Sequence, residues 1–492
     1  MSPYLVIDIG TSSAKAAIYR EDGRKITSFT STYAVSYPRL GSAEQDPLDW
    51  WTAAQHLCHQ VLQVIKPEEI SCISISGQAP SCAPIEITGN PIRPAILWLD
   101  RRAQAQVDWL RDQIGESVVI DRCSNTIDSY YGGVKWLWFI QNEPDLYQRT
   151  WKIMQANSFI IHKLTGEAVT DPSHAGMCTP CFNLSKMDWD DEICQSMGID
   201  THKLPEIYPS AQIIGQVIAQ AATVTGLKIG TPVVCGGGDF ACACLGAGVV
   251  GKGAAAMMLG TAGNLLVPGM RHTDPRLINT VHLTGEGLSL GGVFAGGSVQ
   301  WFGDMLGISQ PDLFAVLDAE AADTPPGAEG LIFLPYLMGE RTPIWDAQAR
   351  GVFIGLATSH RRGHLYRAVL EGVAYAYRQM LEILAEKGSA VHEVVAINGG
   401  ARSPLWRQIF ADVLQIPIRW QPESGGTLTG AAYLAALGAG DNINFDGLAH
   451  WLEPTIDTTP TSAWQDHYLN QYDIFLQLYG RLQDFFPRLN KF

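Results

Sequence analysis

LVIDIGTSSAKAAIY, running from Leu5 to Tyr19, reads as an apolar strand, a small hydroxylated turn and a second strand. Glycine and serine in such a turn let successive N–H groups approach anionic oxygens closely. Thr11, Ser12 and Ser13 add hydroxyl donors, and Asp8 can hold a hydrated Mg²⁺. A chain holds a polyphosphate with its backbone in this way. The stretch is not a Walker loop, because the lysine-serine ending is missing and a strand, not a helix, follows the turn. Taken alone it is equally a β-hairpin with a polar turn, so other segments must decide.

A length of 492 residues exceeds what one core usually organises and predicts two large domains. With 46% apolar and 17% charged residues the composition is globular. A formal charge of −15 without a Lys/Arg run argues against nucleic acid as a partner. The opening MSPYLVIDIG lacks a basic segment followed by a long apolar one, and no apolar run reaches membrane-spanning length. The expectation is therefore a cytoplasmic protein that does not engage a membrane. The ten cysteines are scattered, which predicts reduced thiols. Cys178-Thr-Pro-Cys181 has no second CxxC or paired histidines to complete a zinc site, and Cys242 and Cys244 read as small core residues.

Short β-type runs alternate with longer helical patterns, the signature of an α/β architecture. SCISISGQ (Ser71 to Gln78) and TPVVCGGGD (Thr231 to Asp239) each deliver polar groups at a strand end. AAAMMLGTAGNLLVP, from Ala254 to Pro268, repeats the opening plan of strand, small turn and strand, which predicts a duplicated domain. The glycine-rich loop between Gly246 and Ala254 places the boundary, giving domains 1–247 and 248–492 with a hinge suited to cleft closure. Leu365 to Leu384 and Leu405 to Gln415 carry helical periodicity.

With these segments in order, the chain resembles the FGGY family of carbohydrate kinases, and within it the xylulokinases. The resemblance also rests on AEQDPLDWW (Ala43 to Trp51), RPAILWLDRRA (Arg93 to Ala103), GGGD (Gly236 to Asp239), FLPYLMGERTP (Phe333 to Pro343) and NGGARSPLWRQ (Asn398 to Gln408). One family signature is similar to GGVKWLWFIQN around Lys135, with Gly132 where proline, serine or threonine is usual. The other is matched throughout by Gly351 to Glu371.

The resemblance implies two actin-like, ribonuclease H-like domains, with the sugar mainly on the first, ATP mainly on the second and the chemistry between them. It implies ATP and Mg²⁺ as cofactors, a small sugar or polyol as substrate, and a homodimer as the usual assembly. Asp239, after three glycines at a strand end, is the expected general base, and Asp8 the metal-associated carboxylate. Thr11, Ser12 and Lys15 would line the first phosphate loop, and Gly260 and Thr261 the second, where Ala262 replaces a common serine. Gly296 and Gln300, with Gly399 and Gly400, are similar to nucleotide-side turns. On the substrate side stand Gln78, Ala79, Pro80, Ser81, Trp98, Asp100 and Phe240. Asp100 has a structural alternative, pairing with Arg101 or Arg102, and Trp98 is as readily a core residue. Arg341 and Thr342 could clamp phosphate, yet an arginine in a polar loop more often makes ion pairs, so they are left out of catalysis.

Xylulokinases carry methionine and histidine where this chain has Ala79 and Pro80, and asparagine where it has Phe240. Losing paired polar groups shifts specificity strongly, so D-xylulose is expected to be a poor substrate beside some other polyhydroxy compound. The leading expectation is a xylulokinase-like kinase, with a gluconate- or glycerol-kinase-like enzyme as the alternative. A catalytically silent sugar or nucleotide sensor and an actin- or chaperone-like ATPase are the readings from other classes. Intact Asp8 and Asp239 oppose the sensor, and the sugar-side segments oppose the ATPase.

Overall fold

The computed structural model describes residues 3–308, 310, 312–422, 426–441 and 444–489. Two seven-stranded mixed sheets organise them. In the first sheet, β1 (Tyr4–Ile9), β2 (Ser13–Tyr19) and β3 (Lys25–Thr32) form an antiparallel meander, and β4 (Cys72–Gly77) runs parallel to β1. Beyond β4 lie β5 (Ile213–Gln216) and β6 (Pro232–Val234), and the short β7 (Gly237–Gly238) also pairs with β4, so the order is β5-β6-β4-β1-β2-β3.

The second sheet contains β8 (Ala254–Leu259), β9 (Gly263–Gly269), β10 (Ile278–Val281), β11 (Gly287–Val293), β12 (Glu393–Ile397), β13 (Ile418–Trp420) and β14 (Ile456–Thr458). Its order is β10-β11-β9-β8-β12-β13-β14. Reading outward from β1 and from β8, the two sheets agree. Each has antiparallel strands on one side, two in the first sheet and three in the second, then two parallel strands and an antiparallel edge on the other. The duplication expected from the two hairpins is thus present in the strand order.

The period-2 alternation of β1 divides its side chains between two cores. Leu5, Ile7 and Ile9 pack with Trp50 of the helix Pro47–Val61 and Phe159 of the helix Ala156–Thr165. Tyr4 and Val6 face the helices Asp239–Gly246 and Thr427–Ala439, in a core that also receives Ala256 and Leu266 of the second sheet. The other face of the second sheet is covered by the helices Ala295–Met305, Arg362–Glu386 and Pro404–Leu414, the last two lying where helical periodicity placed them.

The late helix Thr427–Ala439 returns to the first sheet, where Tyr19 Oη and Thr429 Oγ1 lie 3.2 Å apart. A Cβ on Gly438 would lie 2.2 Å from the Val234 side chain, so glycine permits this approach. The division at 247 and 248 is therefore proposed on the sheet strands, with this helix crossing back. Among the described residues no helix is long and apolar enough to cross a membrane.

Candidate active site

Asp8 occupies the same face of β1 as Tyr4 and Val6, with 8% of its surface exposed. Ser76, opposite it on β4, donates its hydroxyl to Asp8 Oδ1 at 2.8 Å. Lys15 is its partner across the hairpin, with an exposed side chain. Burial raises the Asp8 pKa, while the Ser76 hydroxyl and the Lys15 charge oppose the shift. The Gly10 N–H donates to Ser13 O at 3.0 Å and closes the first turn. Thr11 is held twice: Trp98 Nε1 donates to its hydroxyl at 3.0 Å, and Gln45 Nε2 donates to its carbonyl at 2.6 Å. Ser12 is left exposed at the tip.

Asp239 enters beside this turn because β7 pairs with the end of β4, Gly238 opposite Gly77. Gly236 has φ +71°, and a Cβ there would lie 1.9 Å from the Ile75 carbonyl oxygen, so only glycine fits the approach. The Gly238 N–H donates to Ser173 Oγ at 2.9 Å, and the Ser173 hydroxyl donates to Asp171. His174 lies 2.6 Å from Asp171 through Nδ1 and 3.2 Å from Gly77 O through Nε2. This buried set ties both strand ends together. Asp239 opens the helix Asp239–Gly246, with its carboxylate accepting the Phe240 N–H at 2.7 Å. Burial, and then the charge of Asp8, push its pKa up to about 7.

Gly260, Thr261 and Ala262 form the equivalent turn between β8 and β9. The Gly296 N–H donates to Gly260 O at 2.9 Å, and the Gly297 N–H to Thr261 O at 3.0 Å. The start of the helix Ala295–Met305 is thereby fixed against the turn, and a Cβ on Gly296 would meet Gly260 O at 2.5 Å. Gly399 and Gly400 follow β12 in a tight turn, and Asn398 Nδ2 is 3.7 Å from the position a Gly260 Cβ would take. Three segments of the nucleotide-side expectation therefore meet at one end of the second sheet. Gln300 does not join them: it is exposed, and its amide donates to Asp304 at 2.7 Å.

On the substrate side Ala79, Pro80 and Phe240 are buried apolar walls. Gln78 Nε2 donates to Gln45 Oε1 at 2.9 Å, whereas Gln78 Oε1 has no partner among the described residues. Asn157 Nδ2 is likewise unpartnered, and the Asn157 main chain packs on Gly77. Trp98 is partly buried and edge-on to Tyr130, with ring centroids 6.4 Å apart.

Two substrate-side expectations change. Asp100 is 1% exposed and accepts the Ala43 N–H at 2.6 Å, the Arg102 N–H at 2.9 Å and the Arg102 guanidinium at 2.7 Å, so its carboxylate is occupied by structure. Ser81 Oγ accepts the Ala156 N–H at 3.1 Å, and its own N–H donates to Gln155, which makes it a helix support. Arg341 also departs from its expected ion pair. Its guanidinium lies over the rings of Trp98 and Tyr130, and it forms no ion pair among the described residues. Thr342 Oγ1 accepts the Gly292 N–H at 2.6 Å. Sequence reasoning gave no role to Gln45, Tyr130, Asn157, Asp171, Ser173 or His174. Only Gln45 carried a signal, its place in AEQDPLDWW. All ten cysteines are buried free thiols.

Models of the N-terminal and C-terminal domains of the FGGY family of carbohydrate kinases match residues 3–246 and 249–439. The chain is 31% identical to the xylulose kinase of Staphylococcus xylosus, over 97% of this chain and 100% of that protein. It is 28% identical to a gluconokinase of Bacillus subtilis, over 99% of this chain and 98% of the other. A solved xylulose kinase from Rhodospirillum rubrum, 31% identical, superposes with a TM-score of 0.92 over 98% of this chain and 99% of its own. The two-domain, actin-like and ribonuclease H-like fold expected from the resemblance is that of these kinases. Two similar strand plans, a small turn on each and the carboxylates of Asp8 and Asp239 near the first turn agree with what the comparisons find: the chain belongs to the FGGY family of carbohydrate kinases, as a xylulose-kinase-like sugar phosphotransferase.

Proposed function

We propose that Asp239 is the general base that accepts the proton of a substrate hydroxyl as that oxygen bonds to the terminal phosphorus of ATP and the bond to the ADP oxygen breaks. The observation that carries this reading is the position of Asp239 at a glycine-lined strand end, with a pKa near 7 imposed by burial and by Asp8. A base with that value is half deprotonated at neutral pH and still strong enough to take a hydroxyl proton in the transition state. The transfer itself needs alignment and charge neutralisation more than covalent work by protein.

Asp8 suits a hydrated Mg²⁺. Its Oδ1 accepts from Ser76, its carboxylate lies beside the first turn, and one or two carboxylates suffice when waters and phosphates fill the other positions. Among the described residues no group of three or more His, Cys, Asp or Glu side chains forms a metal cage, consistent with an ion held largely by phosphates and water. When bound, it would neutralise charge on the phosphates. Thr11, Ser12 and Lys15 line the phosphates from one side, and Gly260, Thr261 and Gly296 from the other. Gly399 and Gly400 lie on the adenine side.

The acceptor is a small polyhydroxy compound seated against Trp98, Ala79, Pro80 and Phe240, with Gln78 Oε1 and Asn157 Nδ2 free to bond its hydroxyls. The names of the relatives make ketopentoses and aldonates the first candidates. Ten buried thiols suit the reducing cytoplasm as the place of action. ADP release from Mg·ATP across a panel of ketoses, aldoses, polyols and sugar acids tests the reading. One compound should raise turnover far above the basal rate, and a flat panel with intact ATP binding would contradict it.

A further inference from the structure

Arg341 has no part in the scheme above, yet its setting is specific. Its guanidinium carbon lies 5.6 Å from the ring centroid of Trp98 and 5.0 Å from that of Tyr130. Trp98 donates to Thr11 of the first turn. On the other side, Arg341 Nη2 is 3.1 Å from the position a Cβ on Gly292 would take, next to Val293, which pairs with Gly263 at the end of the second turn. The guanidinium therefore stands between the two turns.

Arg101 approaches the same Tyr130 ring, at 5.5 Å, and both arginines line a cavity of about 730 Å³ that Ala262 also borders. The two cations are unevenly served. Arg101 pairs with Asp128 at 2.8 Å, whereas the Arg341 guanidinium forms no salt bridge among the described residues. Glu340 on the same wall accepts the Arg341 main-chain N–H at 2.8 Å, and burial pushes its pKa up to about 8 against that bond and the Arg341 charge. Asp346, farther along, accepts the Tyr479 hydroxyl at 3.0 Å, and Arg111 faces Glu116 at 3.5 Å. Two guanidinium groups thus face one ring, and of the two only Arg101 is neutralised by a salt bridge among the described residues. A planar guanidinium held by aromatic faces is preorganised to bind an oxyanion through two N–H donors.

We propose that Arg341, backed by Arg101, forms an oxyanion subsite of the cleft, which takes either a carboxylate of the acceptor or the oxygens of the phosphoryl group in transfer. The proposal rests on the phosphoryl-transfer reading and gives its site an anion-binding wall.

Steady-state kinetics of the full chain and of Arg341→Ala, Arg341→Gln and Arg101→Gln test it, with D-gluconate, D-glucitol and D-xylulose as acceptors. Loss of a charged donor pair should lower kcat/KM roughly 10- to 100-fold for the Arg341 variants and less for Arg101→Gln. A loss confined to gluconate and carried by KM assigns the anion to the acceptor. An equal fall in kcat on every acceptor used assigns it to the phosphoryl group. Arg341→Ala and Arg341→Gln with kcat and KM unchanged on all acceptors would overturn the subsite. Asp239→Asn, assayed in parallel, separates the two claims. An inactive Asp239 variant beside unaffected Arg341 variants sinks the subsite alone, and full activity of Asp239→Asn sinks the general base.

Discussion

The turn at Gly10 to Ser12 and the turn at Gly260 to Ala262 occupy equivalent places in two sheets of one strand plan, and their chemistry differs. The first is preceded by a buried carboxylate and carries hydroxyl groups, and Trp98 and Gln45 brace Thr11 from its own half of the chain. The second lacks an equivalent carboxylate. Its carbonyls accept from Gly296 and Gly297 at a helix start, and Asn398 lies beside it. On the proposed reading the first half handles metal and proton, and the second faces the nucleotide. Arg341 is the exception that carries charge from the second half toward the first.

Substitutions can break or sharpen that contrast. Asp239→Asn should lower kcat by at least ~100-fold with little change in ATP affinity, measured by coupled ADP release, because the proton loses its acceptor. Asp8→Asn should raise the Mg²⁺ concentration for half-maximal rate roughly 10- to 100-fold, read in a metal titration at saturating ATP. An unaltered metal requirement would move the metal role away from the first turn. In the second turn, Gly296→Ala forces a methyl group to within 2.5 Å of Gly260 O. Overpacking of this kind costs about 1–3 kcal/mol, so a lower Tm and a several-fold higher KM for ATP are expected, with the metal requirement unchanged. Thr11→Val should act least. It leaves the Trp98 N–H without its acceptor, at a cost of about 1 kcal/mol, and changes kcat/KM by a few-fold.

The hairpins at Leu5 and Ala254 were legible because their signals are local: apolar runs, a small turn and strands of matching length. The setting of Asp239 was legible for a related reason, since three glycines at a strand end announce a close approach, and the Gly236 backbone makes one. Asp100 and Ser81 were harder. A buried polar residue near a cleft can face ligand or hold the wall, and the choice depends on Ala43, Arg102 and Ala156, which only the folded chain brings into reach. Arg102 was visible as a neighbour and proved the deciding partner. Arg341 could not be placed from its loop, because its partners are aromatic rings in the other half of the molecule. The brace of Gln78, Gln45 and Thr11 joins three distant segments, and no spacing in the chain encodes it.

The central claim is that Asp239 takes the substrate proton, and the pH dependence of kcat/KM tests it most directly. A base must be deprotonated to act, so the rate should rise with pH and reach half its plateau near 7, the value that burial and Asp8 impose on the free enzyme. Asp8→Asn removes the neighbouring charge and should shift that limb to lower pH. A rate that is flat from pH 5 to 8, or a limb unmoved by Asp8→Asn, would contradict the account.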